Sequence, residues 1–221
     1  MKEPAQAPGL EPRWPVALAI LVVLVLLTVL PERVRLVPVW FTYAIGLAVL
    51  APIAAVWLTA AEPRWLRVER MGVLLFFVVK VTTNLASLAY LIDVMVSRSA
   101  EIGGLSLLTS SAAVWINNVL VFSLLYWQVD RGGPEAWMDY AGTRPDWLFP
   151  QEGAPAEDMP PGWRPAFVDY LYLGYSTATA FSTTDAMPLT SRAKLLMMLE
   201  STISLLTIVV VASRAINILG S

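Results

Sequence analysis

Between Ser176 and Asp185 the chain places six hydroxyl side chains, Ser176, Thr177, Thr179, Ser182, Thr183 and Thr184, ahead of one carboxylate. Hydroxyl and carbonyl oxygens can replace the water shell of a small cation, and a carboxylate at the end of such a run attracts one. The other notable polar groups are Lys80, Asp93, Glu200 and Arg214, each set inside a long apolar run. Ionisable residues in such runs are costly and by default face a protein interior or water. The 221 residues include no histidine and no cysteine. Catalytic triads with histidine, zinc hydrolases, histidine-ligated haem, disulfides and thiol chemistry are thereby excluded. A net charge of −2 offers no basic face for nucleic acid.

These groups must be positioned by elements built for lipid. The chain is 57% hydrophobic and 14% charged, too little charge to clothe a water-facing surface. A membrane-crossing helix needs roughly 20 mostly apolar residues. The sequence offers five, at about Trp14 to Leu30, Leu36 to Ala60 with Pro52 inside, Met71 to Val96, Gly103 to Trp127, and Leu195 to Leu219. The expected fold is an all-α integral membrane protein. The first span lacks a small-x-small cleavage pattern before Pro31 and reads as a helix, not a signal peptide. Residues 128–165 carry seven acids against three arginines, with Trp137, Trp147 and Trp163 among prolines and glycines. That composition predicts a loop outside the lipid, its tryptophans lying against the membrane surface or a partner loop. Trp14, Trp40, Trp57, Trp65 and Trp127 sit near span ends, as an interfacial belt does.

From Ala166 the chain is aromatic and moderately apolar over about fifteen residues, too short to span, and passes into the hydroxyl run that opens at Ser176. A short helix followed by irregular backbone at membrane depth survives only where protein or water covers it. Thr179 stands six residues before Asp185, Pro188 three after it, and Arg192 and Lys194 at the mouth of the last helix. This order of helix, half-helix, Thr-rich turn, Asp-x-x-Pro and second helix resembles the pore domain of potassium channels, over roughly residues 105–219. It also resembles a bacterial membrane-protein family of this size with a similar Thr-Ala-Phe-Ser-x-Thr-Asp loop. The resemblance divides the chain into N-terminal membrane helices, 1–102, and a channel-like pore region, 103–221, with the half-helix and filter-like loop at 166–190. It implies a multi-pass protein of the bacterial inner membrane and a homo-oligomer, with a tetramer favoured because one pore loop cannot close a filter. It implies an ion path lined by Thr179, Ser182, Thr183, Thr184 and Asp185, with a bound monovalent cation as the only cofactor-like group. The departures are as informative. The filter glycines fall on Ser182 and Thr184 and the aromatic between them on Thr183. A β-branched residue resists the positive φ that a carbonyl ladder uses, so side-chain hydroxyls are expected to do the lining.

In the last span Glu200, Ser204, Thr207, Val211, Arg214 and Asn217 recur at helical spacing on one face. Glu200, Ser204 and Thr207 are therefore pore-lining candidates; packing against another helix is the alternative, with Arg214 reaching back to the interface. In the third span Lys80, Thr83, Asn84 and Ser87 form a second polar face. Lys80 is deep enough to need a partner, and Glu200 is expected to supply it as a structural ion pair, in preference to Asp93. Asn117 and Asn118, adjacent on a helix, are expected to face different neighbours, one the bundle and the other a subunit contact or the pore loop.

Five spans put the N-terminus, residues 61–70 and the acidic loop on one side. Lys2, Arg13, Arg64, Arg67 and Arg70 then share that side against Arg33, Arg35 and Arg98 on the other. This bias runs against placing the loop outside, where a pore loop of the potassium-channel kind would enter. Three functions compete: a cation-conducting oligomeric pore; a non-conducting scaffold or interaction protein on a channel-derived fold; and, weakest, a membrane enzyme using Asp169, Asp185, Glu200 and Lys80. No paired carboxylate spacing supports the last, and no enzymatic activity is expected.

Overall fold

A computed structural model describes residues 12–29, 38–58, 62–97, 104–133, 144–155, 157–159, 163–179 and 185–219. They are mostly helical: α1 (Trp14–Val29), α2 (Val39–Leu58), α3 (Pro63–Ser97), α4 (Gly104–Val129), α5 (Phe167–Thr179) and α6 (Ser191–Leu219). Three stretches, Arg64–Asp93, Leu108–Gly132 and Ser191–Ser213, are long and apolar enough to cross a membrane, while α1 and α2 contribute shorter apolar stretches. The chain is thus an all-α protein fitted to a bilayer.

α3 begins eight residues before the expected span. Residues 63–70 are helix, not linker, because Pro63 occupies the first helical position, where its missing N–H is no loss. The Glu62 carbonyl then takes the N–H groups of Trp65 (2.9 Å) and Leu66 (3.3 Å). At about 1.5 Å per residue this helix is about 52 Å long, so it outreaches a hydrocarbon layer of roughly 30 Å. At this end Arg13, Glu69 and Trp127 meet in the interior. The Arg13 guanidinium lies 3.9 Å from Glu69 and 4.9 Å from the centre of the Trp127 ring. The starts of α1 and α3 and the end of α4 therefore share one side of the bundle.

α4 is the hub. Two thirds of its apolar window (67%) is buried, against 39% for α3 and 28% for α6, and it packs on α1, α3, α5 and α6. Its small residues Ser110, Ser111, Ala113 and Ser123 are all buried and let neighbouring helices approach closely, as lipid-embedded packing requires. One close approach is to Gly174 of α5. A Cβ there would collide with Ser123 Oγ and stand 3.2 Å from the Val119 carbonyl oxygen. The larger apolar core runs from Val16 of α1 to Val210 of α6, and a small second cluster joins Val56 to Leu66.

After α4 the chain reverses through Arg131 (φ 53°), Gly132 (φ 87°) and Gly133 (φ 90°). It returns as a short strand, β1 (Trp147–Leu148), paired antiparallel with β2 (Met187–Pro188), Trp147 opposite Pro188. The expectation that tryptophans here face the membrane surface fails for Trp147, which is wholly buried. Its ring packs tilted against Tyr126, centroids 4.8 Å apart, and its indole N–H reaches Met197 Sδ at 3.3 Å. Trp127 is likewise core and not belt, whereas Trp14 and Trp40 are exposed as a belt predicts. Trp137 lies outside the described residues.

Candidate functional site

The half-helix α5 is thirteen residues long, about 20 Å at about 1.5 Å per residue, and cannot cross a bilayer. Its start is fixed by Asp169, whose carboxylate reaches back to accept the Ala166 N–H at 2.8 Å, the reciprocal half of a capping box. Partial burial pushes that carboxyl above the usual aspartate range. Phe167, Tyr170, Leu173, Gly174, Thr177 and Ala178 form the buried face, wedged between α4 and α6, while Val168, Tyr172 and Tyr175 stay exposed. Near the other end the hydroxyls are spent on the helix itself: Ser176 Oγ donates to the Tyr172 carbonyl (2.8 Å) and Thr179 Oγ1 to that of Ser176 (3.0 Å). Ser201 of α6 donates to the Thr177 carbonyl at 3.2 Å.

Ser182, Thr183 and Thr184 lie outside the described residues. Asp185 is exposed and accepts a hydrogen bond from the Tyr172 hydroxyl at 3.3 Å. Asp185 therefore lies beside the middle of α5, and its negative charge pushes the Tyr172 phenol above its ordinary range. Beyond Asp185 the path is clamped. Thr190 caps α6, its Oγ1 accepting the Ala193 N–H at 3.1 Å and donating to Asp146 at 2.5 Å. Arg192 pairs with the same Asp146 and donates to the Val129 carbonyl at 3.1 Å. Asp130, fully buried, accepts the Asp146 N–H (2.7 Å) and the Tyr170 hydroxyl (2.6 Å). The acidic loop thus ties the end of α4 to both α5 and the start of α6.

The last-span stripe is turned inward. Glu200, Ser204 and Thr207 are buried within this chain, so their side chains pack in the bundle in place of lining a free face. The side chains of Arg214 and Asn217 lie outside the described set. The expected Lys80–Glu200 ion pair is not formed. Glu200 Oε2 accepts the Tyr126 hydroxyl at 2.5 Å, and α4 carries Asn118 between α3 and α6. The expected division of labour between Asn117 and Asn118 also fails, since both bond Asn84. Asn117 Nδ2 donates to Asn84 Oδ1 (3.2 Å), Asn84 Nδ2 to Asn118 Oδ1 (3.4 Å), and Asn118 Nδ2 to Ser204 Oγ (2.9 Å) and the Glu200 carbonyl (3.1 Å). One asparagine of α3 reaches two successive residues of α4 because its amide offers a donor and an acceptor on opposite atoms.

The same chain of amides has a fixed direction. A backbone carbonyl only accepts, so Asn118 must turn its Nδ2 to Glu200, and each amide upstream follows. The chain ends at Asn117 Oδ1, buried and without a partner. Sequence reasoning missed Tyr126, Asp130, Asp146 and Tyr170. The visible signal was an Asp in the loop and an Arg just ahead of the last span, opposite charges at the two ends of one excursion. Comparison with protein-family models, with curated proteins and with solved structures finds no match to this chain.

Proposed function

We propose that the chain is the subunit of an oligomeric, channel-like membrane protein that conducts a small cation through a hydroxyl-lined constriction. In this reading the described helices cross the bilayer five times, α5 enters as a re-entrant half-helix, and residues 180–184 meet their copies on a shared axis, with four copies favoured. The observation that carries it is α5 itself: a thirteen-residue helix held between two membrane-length helices. Its C-terminal end bears the partial negative charge of the helix dipole, which favours a cation where the hydroxyl run begins. Asp185 adds a full charge next to it. The clamp through Asp130, Asp146, Thr190 and Arg192 holds α5 at Tyr170 and the start of α6, the two helices that flank the loop.

In this reading Glu200, Ser204 and Thr207 turn inward and the axial face of α6 falls to Leu195, Met198, Leu205 and Val209, all exposed in the single chain. A cavity walled by those residues is apolar, leaving selectivity to the loop. The same inward turn also favours the second reading, a non-conducting scaffold whose polar groups serve packing alone. Reconstitution into liposomes separates them. Flux of potassium, sodium or thallium, abolished by Asp185→Lys in protein that keeps its assembly, supports the pore; no flux of any monovalent cation at any imposed voltage refutes it. A cysteine at Ala154, probed with a membrane-impermeant thiol reagent on intact cells, reports the side of the loop. Labelling only after lysis would invert the topology.

A further inference from the structure

A small pocket lies between α1, α3 and α4, lined by Leu26, Lys80, Thr83, Asn84, Ser87 and Asn117 among others. Its polar lining comes from side chains that the membrane-length helices carry deep into the bundle: Lys80 and Ser87 are each 4% exposed and Asn117 is 5%. No ion pair or hydrogen bond reaches Lys80 among the described residues, and no carboxylate is in the wall. Glu200, the acid expected to balance it, is taken by Tyr126, and Asp93 is exposed. An ammonium held away from water without a counter-charge costs several kcal/mol. A counter-charge in the pocket would offset it, and the space holds a solute of about one water's size.

We infer that this pocket is a binding site for one small monovalent anion of halide size, held by the Lys80 ammonium and the Ser87 hydroxyl. The proton inventory supports it. An ammonium has three N–H donors. Two can serve the acceptors already in the wall, the unpartnered Asn117 Oδ1 and Thr83 Oγ1, whose own proton goes to the Val79 carbonyl at 2.7 Å. The third points at the solute. Ser87 supplies a second donor from two turns further along α3, and Leu26, Ala113 and Val114 close the apolar side. The fixed direction of the amide chain keeps the Asn117 carbonyl, and not its N–H₂, on the pocket, so the anion is gripped from α3. The site neutralises Lys80 and ties α3 to α4 through Asn117. It is separate from the loop at 180–184 and does not depend on conduction.

The test uses the full-length protein purified into lipid nanodiscs without halide. Sodium bromide replaces sodium gluconate at constant ionic strength while the thermal unfolding midpoint is followed. Wild type is expected to show a saturable rise in midpoint, Lys80→Met none, and Ser87→Ala a bromide affinity weakened about tenfold, the loss of one hydrogen bond to a charged group. Ser87→Ala keeps the inference testable should Lys80→Met fail to fold. An anomalous bromide peak beside Lys80 in a crystal is the direct confirmation. A midpoint indifferent to bromide in wild type, or a water and no halide at the site in bromide-soaked crystals, overturns it.

Discussion

Asn118 and Asn117 are neighbours of one residue type on one helix, yet the structure predicts unequal consequences for their loss. Asn118 makes three hydrogen bonds, joining α3 and α6 to α4; Asn117 makes one, to Asn84. Both are buried, so replacement by alanine leaves a similar cavity in each case. The hydrogen-bond difference then decides the ranking. In a lipid-embedded bundle a polar contact between helices contributes about 0.6 kcal/mol on average, so Asn118→Ala is expected to cost about 1 to 2 kcal/mol more than the cavity term, and Asn117→Ala about 0.6. The measurement is reversible unfolding in mixed dodecyl maltoside and dodecyl sulfate micelles, with Asn84→Ala completing a double-mutant cycle against each. Coupling is expected between Asn84 and both partners, and between Asn118 and Ser204, while Asn117 and Ser204 should be additive. A larger cost for Asn117→Ala than for Asn118→Ala, or coupling between Asn117 and Ser204, would refute the directed amide chain.

Gly174→Val should lower stability by about 2 kcal/mol, since overpacking of this size costs roughly 1–3 kcal/mol; Ser123→Ala should restore part of it by removing the nearest obstacle. Tyr126→Phe is expected to cost more than Glu200→Gln in the same unfolding assay. It leaves the buried Glu200 Oε2 without a donor, at about 1–3 kcal/mol, whereas the amide keeps an acceptor for Tyr126. Thr190→Val removes the cap of α6 and a donor to Asp146, and about 1 kcal/mol of stability should go with it, most visibly as faster amide exchange in the first turn of α6. The Tyr172 phenol should titrate at lower pH in Asp185→Asn, read as the ultraviolet difference from Tyr172→Phe. Because its pKa is raised, its bond to Asp185 persists through the ordinary tyrosine range and is lost only as pH rises past the shifted value.

Helix positions were legible because burial in lipid writes its demand into consecutive residues. The runs at Trp14, Gly103 and Leu195 needed only a count of apolar length. The start of α3 was not legible, since Arg64, Arg67, Glu69 and Arg70 look like a linker until Pro63 and the Glu62 carbonyl are seen to open a helix there. The short α5 was visible as an apolar stretch too brief to span. Its docking was not, because it depends on Gly174 lying against Ser123, two residues far apart in sequence with nothing in their types to pair them.

The polar groups divide in the same way. Composition alone established a lipid-fitted chain without histidine or cysteine chemistry, and periodicity alone put Glu200, Ser204 and Thr207 on one helical face. Helical spacing fixes which residues share a face; it contains nothing about where the face points, because that is set by the rotation of α6 against α4. The tertiary structure turned the stripe inward, gave Glu200 to Tyr126 and left Lys80 facing a pocket. Opposite charges in a sequence attract only if packing brings them together, and here the asparagines of α3 and α4 occupy the space between them.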